Sequence, residues 1–572
     1  MKFTDKDISI IKGISQAAAG FTLIVAFLMI FSLIQLKTIN PLDNPALLSI
    51  KEQYDKNPEN ANLAEQVRAM DLMARKAYFA SRRQVETGSY LLVAGAIIFI
   101  FCQRLIAGNE KLLPEISGTK PDQGSYQNKY RKFLLASAFV LTGSAIAASF
   151  MLRSNLPDLN AQAKAGNIEA KKKEESKEVR RKSVTDNFKP DKTNFPFFRG
   201  QDGRGIAGGS GFPTEWNGEI GTNIKWKTEV QYDGKSSPVI WADKLFITGA
   251  EGLNCYVQCY DKNTGKLLWS SSASGIPGEP SALPRMDPGS GLAVSSAALS
   301  SKSVCAVFAN GNLISLDHNG KKKWATNLGV PNNTYGYSSS LIIYEDILVV
   351  QYDSDKKLSI MGFDIETGTL KWETLRQGHP VWSSPVMAKF GDIPQVIING
   401  NPAVSSYDPV TGAQLWSIDC MSGDVAPSAA VNSFMAYTVT DYTDLVAIEP
   451  GTTPVIKWKD NTYTPDISSP VATDNYLFLV TGYGDAVCYN AEKGDTLWTH
   501  YFGDQFYSSP MIADEKVYLL NRSGMMHIVK AAEKFELIAE SPLGEPAECT
   551  PSFSDKNIFI RGRKYLYCIS GN

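Results

Sequence analysis

The pattern of hydrophobic and polar positions divides the chain into two parts. Residues 17–36 and 133–152 each form a run of 20 residues without a formal charge, and a shorter apolar run begins at residue 87. A helix of about 20 apolar residues spans the roughly 30 Å hydrocarbon core of a bilayer. The pattern therefore predicts an α-helical membrane region over 1–152, with three transmembrane helices at about 17–36, 87–106 and 133–152.

Two further features complete the predicted N-terminal region. Apolar residues recur at helical spacing among charges between about 60 and 84, which predicts an amphipathic helix. Residues 153–193 are dense in both signs of charge and predict a charged linker. Lys and Arg flank the predicted spans so that the positive-inside rule favours an internal N-terminus. We therefore expect a multi-pass protein of the bacterial inner (cytoplasmic) membrane, in contact with the lipid bilayer, whose C-terminal region faces the periplasm.

From about residue 194 the pattern changes to short β-branched and aromatic runs separated by Gly, Asn, Asp and Pro. Segments like Ser-Ser-Pro begin at positions 236, 295, 338, 383, 427, 468, 508 and 549, and all but one of the intervals are 40–45 residues long. About 40 residues with four short strands make one propeller blade. The sequence thus predicts a mainly β domain over 194–572, an eight-bladed β-propeller of four-stranded blades.

A second motif recurs within these blades. The stretch "CYDKNTGKLLW" (259–269) has a small residue, then Asp, Thr-Gly and Trp at fixed offsets, and similar stretches end at other tryptophans. The Thr-Gly pair predicts a tight turn whose amides bond to the Asp side chain, and the Trp is expected to pack against the neighbouring blade. The predicted blade tryptophans are Trp226, Trp269, Trp324, Trp372, Trp416, Trp458 and Trp498. Trp226 precedes the first repeat, so its strand is expected to complete an eighth blade with the last three strands.

These motifs resemble the PQQ-like repeat propellers of the quinoprotein alcohol dehydrogenase-like superfamily, over roughly residues 195–572. The entry stretch "FFRGQDGRGIAGG" is also similar to the start of many extracytoplasmic members. The superfamily contains quinone-dependent dehydrogenases and also the non-catalytic propeller lipoprotein of outer-membrane protein assembly. The resemblance implies the architecture and leaves the activity to be argued from the site.

Composition and motifs exclude several functions. The net charge of −2 gives no bulk attraction to nucleic acid, and eight cysteines in 572 residues do not make a disulfide scaffold. The four histidines form neither a haem-attachment nor a zinc-protease motif. The resemblance implies, for alcohol-oxidising members, a Cys-Cys pair and long insertions around the cofactor. This chain has no such pair, and only the segment 271–294 is extended. We predict no catalytic residue and no metal site.

The residues just before each inner strand are expected to surround one mouth of the propeller. An aromatic rim there can hold a peptide or a flat ligand, whereas inter-blade packing is the alternative. The candidate rim comprises Tyr337, Trp382 and Tyr507, with His379 and Asp466 nearby.

The sequence therefore favours a membrane-anchored extracytoplasmic module for binding or scaffolding, in a complex with envelope or membrane proteins and without a cofactor. The main alternative is a PQQ-dependent membrane dehydrogenase, with PQQ and calcium, that passes electrons to quinone. A third hypothesis is a sensor that binds a ligand outside the cytoplasm.

Overall fold

The structure is a computed structural model that describes residues 11–22, 24, 25, 91, 95, 99, 101, 102, 191, 193–287, 289–441 and 443–571. The chain divides into two compact units, Met1–Lys177 and Glu178–Asn572. In the first unit, residues 11–22, 24 and 25 are helical, as are residues 91, 95, 99, 101 and 102. The Thr22 hydroxyl donates a hydrogen bond to the carbonyl oxygen of Ala18 at 2.7 Å, one helical turn earlier.

The membrane prediction requires correction. Among the residues that the structure describes, no helix combines the length and the apolar character needed to cross a bilayer. The predicted fold class with three transmembrane helices, and the predicted place as a multi-pass inner-membrane protein, are therefore wrong. The predicted segments 60–84 and 133–152, residues 26–36 of the first predicted span, most of 87–106 and nearly all of 153–193 lie outside the described residues.

The second unit contains eight four-stranded antiparallel sheets, which confirms the eight-bladed propeller. The first strand of the chain, β1 (Ile224–Glu229), belongs to blade 8. Blades 1 and 2 consist of β2 (Val239–Trp241), β3 (Lys244–Glu251), β4 (Asn254–Asp261), β5 (Leu267–Ser272), β6 (Ala298–Leu299), β7 (Val304–Val307), β8 (Asn312–Leu316) and β9 (Lys322–Asn327). Blades 3 and 4 consist of β10 (Ile342–Tyr344), β11 (Ile347–Ser354), β12 (Lys357–Asp364), β13 (Leu370–Leu375), β14 (Val386–Phe390), β15 (Ile393–Ile398), β16 (Ala403–Tyr407) and β17 (Gln414–Asp419).

The remaining blades follow the same order from the inner to the outer strand. Blades 5 and 6 consist of β18 (Ala430–Val431), β19 (Ala436–Thr438), β20 (Leu445–Glu449), β21 (Val455–Asp460), β22 (Val471–Ala472), β23 (Tyr476–Val480), β24 (Asp485–Asn490) and β25 (Thr496–Tyr501). Blade 7 consists of β26 (Met511–Ala513), β27 (Lys516–Leu520), β28 (Met525–Lys530) and β29 (Leu537–Pro542). Blade 8 consists of β30 (Ser552–Ser554), β31 (Asn557–Arg561), β32 (Tyr565–Ser570) and β1.

Blade 8 is composite, as the sequence predicts. Strand β1 pairs antiparallel with β32, with Trp226 opposite Cys568 and Glu229 opposite Tyr565. The outermost strand of the last blade therefore comes from the start of the propeller. This pairing completes the four-stranded sheet of blade 8 with a strand from the start of the propeller. It therefore joins the two ends of the propeller and closes the ring.

The turn motif is explained by contacts between neighbouring blades. In blade 1, the Asp261 carboxylate accepts hydrogen bonds from the amides of Asn263 and Thr264 at 3.0 and 2.8 Å. Gly265 has a φ of 71° and lies against the Trp226 ring, where an added Cβ would approach the ring to 2.6 Å. The Trp226 indole donates to the Lys262 carbonyl oxygen at 2.9 Å. The tryptophan of one blade is thus covered by the Thr-Gly turn of the next.

The same contact recurs around most of the ring. The indoles of Trp269, Trp324, Trp458 and Trp498 donate to carbonyl oxygens of the following blade at 2.8–3.2 Å. Trp416 differs, because its indole bonds to Gln395 within its own blade at 2.8 Å. Blade 7 carries Ala539 at the corresponding position, opposite Ile528. Trp372 lies against Gly412 of the next blade, but its indole nitrogen has no partner among the described residues. The indole hydrogen bond to the next blade is therefore absent after blades 3, 4 and 7.

Candidate functional site

The central channel has two unlike mouths. We name the end at which the inner strands begin the entry mouth. The opposite end is crossed by residues 195–207, which we name the plug segment. Its backbone bonds to inner strands of four blades: Phe195 to Ile240, Pro196 to Leu299, Asp202 to Met387, and Ala207 and Gly205 to Ile512, with N···O distances of 2.8–3.0 Å. The plug segment therefore closes one mouth and leaves the entry mouth as the candidate site.

A ring of hydroxyl groups surrounds the channel just inside the entry mouth. In each blade, the amide of one Ser or Thr donates to the side-chain hydroxyl of its counterpart in the next blade, at N···O distances of 2.8–3.1 Å. The eight residues of this hydroxyl ring are Ser237, Ser296, Ser340, Ser384, Ser428, Ser469, Ser509 and Thr550, and all are buried. The last bond, from Thr550 to Ser237, closes the circuit. Eight buried amides that face the channel are thereby satisfied by the neighbouring blade.

The hydroxyl ring fixes the register of the site. In the third repeat the bond from Ser340 to Ser384 shows that Ser339 and Ser340 are the equivalents of Ser383 and Ser384. The predicted segment beginning at Ser338 is therefore displaced by one residue. The positions two residues before the hydroxyl ring form what we name the entry rim: Lys235, Val294, Ser338, Trp382, Ala426, Ile467, Tyr507 and Glu548.

The structure places the five predicted rim residues in different environments. Tyr337 lies outside the entry rim because of the displaced register; it is 4% exposed and its hydroxyl donates to the Gln351 carbonyl oxygen. Trp382 and Tyr507 belong to the entry rim, before the inner strands of blades 4 and 7. His379 is exposed, and its amide donates to the Asn401 carbonyl oxygen at 2.8 Å. Asp466 is half-buried and adjoins Ile467 of the entry rim.

Trp382 contacts residues of the connection between blades 2 and 3. Its ring meets Tyr335 edge to face with centroids 4.7 Å apart, and its indole nitrogen lies 3.4 Å from the Asn333 side-chain oxygen. Trp382 is only 9% exposed, whereas Tyr335 is 36% exposed. The aromatic surface that this side of the mouth presents to solvent is therefore mainly that of Tyr335.

Tyr507 belongs to a charged cluster that joins blades 7, 8 and 1. The Arg522 guanidinium lies over the Tyr507 ring, 4.1 Å from its centroid. Glu548 accepts from Lys235 at 2.8 Å and from Arg522 at 2.8 Å. Burial alone raises the pKa of Glu548, but the hydrogen bonds and charges of Lys235 and Arg522 outweigh it and hold that pKa below its usual value. Glu548 is therefore an ionised bridge between two cations.

A second ion pair is buried beside the mouth at blades 3 and 4. Arg376 bonds to one oxygen of Asp353 at 2.7 Å, and both side chains are at most 5% exposed. The other oxygen accepts from the Val381 amide at 3.1 Å and from the Gln351 side chain at 3.2 Å. Burial raises the pKa of Asp353 in spite of the Arg376 charge. Because Val381 precedes Trp382, this network fixes the backbone that carries the aromatic residue.

A cleft of about 260 Å³ lies beside the entry mouth between blades 2 and 3. It is lined by Leu328, Val330, Asn332, Tyr352, Ser354, Lys356, Lys357 and Met361. Its volume is slightly below the 300–1,000 Å³ typical of sites for small molecules. The Lys357 side chain forms a 2.6 Å salt bridge with Glu373 of the adjacent strand β13.

The residues around the mouth do not fit a PQQ group with its calcium ion. Ca²⁺ takes six to eight oxygen ligands, usually with several carboxylates. Glu548 and Asp353 lie on different blades, and each is bound to a cationic side chain. Within the described part of the chain, no group of three or more His, Cys, Asp and Glu side chains is arranged to hold a metal ion. We therefore derive no step through this cofactor.

The repeat assignment is supported by comparison with known families. The model described as "Outer membrane protein assembly factor BamB", of the PQQ-like repeat type, matches residues 207–340, 254–393 and 400–533, more than half of the chain. The chain belongs to this family. No curated protein matches it in sequence.

Solved structures resemble the PQQ-like propeller at low sequence identity. Quinohemoprotein alcohol dehydrogenase from Comamonas testosteroni is 12% identical, with 66% of this chain and 81% of that chain covered and a TM-score of 0.52. BamB from Moraxella catarrhalis is 16% identical, with 61% and 97% covered and a TM-score of 0.46. Sqt1 from Saccharomyces cerevisiae is 10% identical, with 61% and 97% covered and a TM-score of 0.45. At 12% identity the first likeness shows the fold alone.

Proposed function

We propose that this propeller is a protein-binding module and that its partner docks on the entry mouth. The observation that carries the proposal is the contrast between the two mouths. The plug segment fills one with backbone hydrogen bonds, whereas the other presents the entry rim. The side chains of the entry rim are aromatic, aliphatic and charged rather than arranged around one reactive centre.

The chemistry of the entry rim suits a protein surface. Tyr, Trp and Arg are the residue types most often found at the energetic centres of protein interfaces, and Tyr335, Tyr507 and Arg522 lie at this mouth. The carboxylate of Glu548 is shared between Lys235 and Arg522 instead of being held ready for proton transfer. A dehydrogenase is therefore the less supported function, because Glu548 and Asp353 are each bound to a cationic side chain.

The nature of the partner is inferred from the family. The description of the matching model names an assembly factor of outer membrane proteins. By that likeness we propose a protein of the bacterial cell envelope as the partner, and a scaffolding role in its complex.

The test begins with a partner that is identified from cells after cross-linking to the tagged full chain and is then purified. Its affinity is measured by calorimetry for the unchanged chain, for the double variant Trp382→Ala/Tyr507→Ala, and for Val410→Ala as a control. Val410 is 46% exposed in the turn between β16 and β17, at the end of the blade opposite the entry mouth. We expect the double variant to bind at least about tenfold more weakly, which is the effect of losing about 1.4 kcal/mol.

Two results would argue against the proposal. Equal affinity of all three proteins would remove the entry mouth as the docking face. Stoichiometric uptake of PQQ with reduction of a dye by alcohols or aldoses would instead favour the dehydrogenase. Thermal unfolding of each variant separates lost binding from lost folding, since Trp382 is nearly buried.

A further inference from the structure

The hydroxyl ring leaves eight hydrogen-bond donors without an acceptor in the described part of the chain. Each of its hydroxyls accepts a bond from the amide of the preceding blade, and none donates to another described residue. A Ser or Thr hydroxyl carries one O–H donor in addition to its acceptor lone pairs. Since buried polar groups are nearly always hydrogen-bonded, a solute or water in the channel has to accept from these O–H groups.

The ring residues border the channel, whereas the preceding serines of blades 4 and 6 are bonded within their own blades. The Ser383 hydroxyl donates to the Asn399 carbonyl oxygen at 2.8 Å, and the Ser468 hydroxyl donates to the Val480 carbonyl oxygen at 2.7 Å. These two serines are 0–1% exposed, while the eight ring residues are 2–7% exposed. The O–H groups of the ring are therefore within reach of a small solute in the channel, but not of a bulky one.

Arg199 of the plug segment brings a buried positive charge close to the ring. Its Nη2 donates to the carbonyl oxygen of Pro470, the residue that follows Ser469 of the ring. Its Nε and Nη1 have no partner within the described chain, and its bonds go to carbonyl oxygens rather than to a carboxylate. Burial lowers the pKa of Arg199 to about 9, so the side chain is still a cation at neutral pH.

The second buried arginine beside the ring is also without a carboxylate partner. Arg561 donates to hydroxyl and carbonyl oxygens, and the exposed Asp233 acts on it only through its charge. The acidic residue of the plug segment, Asp202, interacts in charge with Arg204. At the mouth, Glu548 is bound by two cations. The buried charges that bond to groups next to the ring are therefore both positive.

We propose that the hydroxyl ring binds one small anion, a halide or a carboxylate no larger than acetate, which enters through the entry mouth. Several O–H donors around one space favour a negatively charged acceptor, because hydrogen bonds to a charged group are about twice as strong as those between neutral groups. The charge of Arg199 acts on the anion through a short distance in a water-poor site, where Coulomb attraction is stronger than in bulk water. The inference goes beyond the proposed function, because it requires no protein partner.

The test measures the Tm of the full chain by calorimetry while sodium chloride or sodium acetate replaces sodium gluconate at constant ionic strength. Gluconate serves as the anion that is too bulky for the ring. A ligand that binds the folded chain alone raises its Tm as the ligand concentration exceeds the Kd. We expect the Tm to rise with at least one of the two small anions. Crystals grown in bromide are expected to show an anomalous scattering peak in contact with the ring hydroxyls.

Two variants and one control locate the site. Arg199→Met removes the positive charge and should weaken anion binding at least about tenfold, whereas Ser469→Ala removes one ring hydroxyl and should weaken it about threefold. The matched control Ser468→Ala removes the neighbouring buried hydroxyl, which donates to Val480, and should keep the full response to the anion. In gluconate alone, Arg199→Met is expected to unfold close to the unchanged chain, so that lost binding is distinguished from lost folding.

Each outcome decides for or against the anion site. A Tm that rises equally in the unchanged chain and in Arg199→Met reports a general salt effect and overturns the inference. Water at the ring without a bromide peak overturns it as well. A response to acetate alone identifies a carboxylate as the ligand, and a response to chloride alone identifies a halide; both support the site. A chain that binds its protein partner at the entry mouth but shows no anion response overturns this inference and leaves the proposed function standing.

Discussion

The two mouths of the channel are built by different parts of the sequence. At the entry mouth the repeats supply the hydroxyl ring, which takes one Ser or Thr from each blade. At the other mouth the non-repeating plug segment supplies backbone groups to the inner strands of several blades. In each of the four blades whose backbone bonds to the backbone of the plug segment, the bonded residue lies three residues after the hydroxyl-ring residue. The two positions are therefore about 10 Å apart along the strand. One mouth is therefore closed by a segment outside the repeats, and the other retains its side chains for recognition.

The repeats and the plug segment also differ in how many hydrogen-bond partners they give to a buried arginine. Arg561, near the entry mouth, donates to the Ser236 hydroxyl and the Thr248 carbonyl oxygen at 2.8 Å each, and to the Tyr232 carbonyl oxygen at 3.2 Å. Arg199, in the plug segment, donates to the Pro470 carbonyl oxygen, but its Nε and Nη1 have no partner within the described chain. Burial lowers the pKa of both, and that of Arg199 to about 9. The repeats thus satisfy their buried cation better than the plug segment does.

The largest effect is expected when the ring is opened. Removing residues 553–572 deletes β31, β32 and most of β30, and with them the partner of β1 that closes the ring. Because the blades bury their faces against each other, we expect loss of the single cooperative unfolding transition by calorimetry rather than a modest shift of Tm. A truncated chain that unfolds in one transition near the original Tm would show that closure is not required. Removal of residues 11–22, which lie in the other unit, is the control.

A smaller effect is expected from exchanging the two arginines for methionine. Arg561→Met leaves the Thr248 and Tyr232 carbonyl oxygens without this donor, so it should lower the free energy of unfolding by about 3 kcal/mol. Arg199→Met removes a buried cation that is poorly paired, so its effect should stay within about 1 kcal/mol. Urea unfolding of both variants measures the difference. A cost for Arg199→Met as large as that of Arg561→Met would mean that the plug segment depends on its cation.

The repeat part of the fold could be predicted from the sequence because each blade repeats the same physical solution. The period of about 40 residues, the Thr-Gly turn and the Trp contact are local patterns, and the spare Trp226 strand indicated the composite blade. The hydroxyl ring was missed, although its signal was present in the second Ser or Thr of each repeat. Three consecutive serines at 338–340 allow two registers, and only the bond from Ser340 to Ser384 selects the right one. That ambiguity placed Tyr337 on the rim.

Two other features of the structure could not be predicted from the sequence. The plug segment uses backbone hydrogen bonds, which leave no side-chain pattern, so the stretch "FFRGQDGRGIAGG" indicated only a family resemblance. The apolar run 17–36 met the length criterion for a span, yet no helix among the described residues has the length and apolar character to cross a bilayer. The rim prediction for Trp382 and Tyr507 remains a prediction about binding.

The junction of blades 6 and 7 adds two histidines to the Trp498 contact. His500 stacks on Phe535 with centroids 4.2 Å apart, and His527 stacks on Phe502 at 4.0 Å. His527 also bonds to Glu540 at 2.7 Å and contacts the Asn521 side chain at 3.3 Å. Burial lowers the pKa of both histidines, and the half-exposed Glu540 only partly opposes it. The junction is therefore built for neutral imidazoles.

The smallest expected effect is an acid-dependent loss of stability at this junction. A histidine whose pKa is lower in the folded chain than the usual 6.5 binds fewer protons there than in the unfolded chain, so its stabilising contribution is complete above about pH 6.5. It is lost as the pH falls from 6.5 through the folded-state pKa, with a slope of at most about 1.4 kcal/mol per pH unit for each histidine. We expect urea unfolding between pH 7.5 and 5 to show a shallower acid loss for His500→Gln/His527→Gln than for the unchanged chain. His379→Gln, which alters an exposed histidine, should retain the full slope, and a double variant with an unchanged slope would place the acid sensitivity elsewhere in the ring.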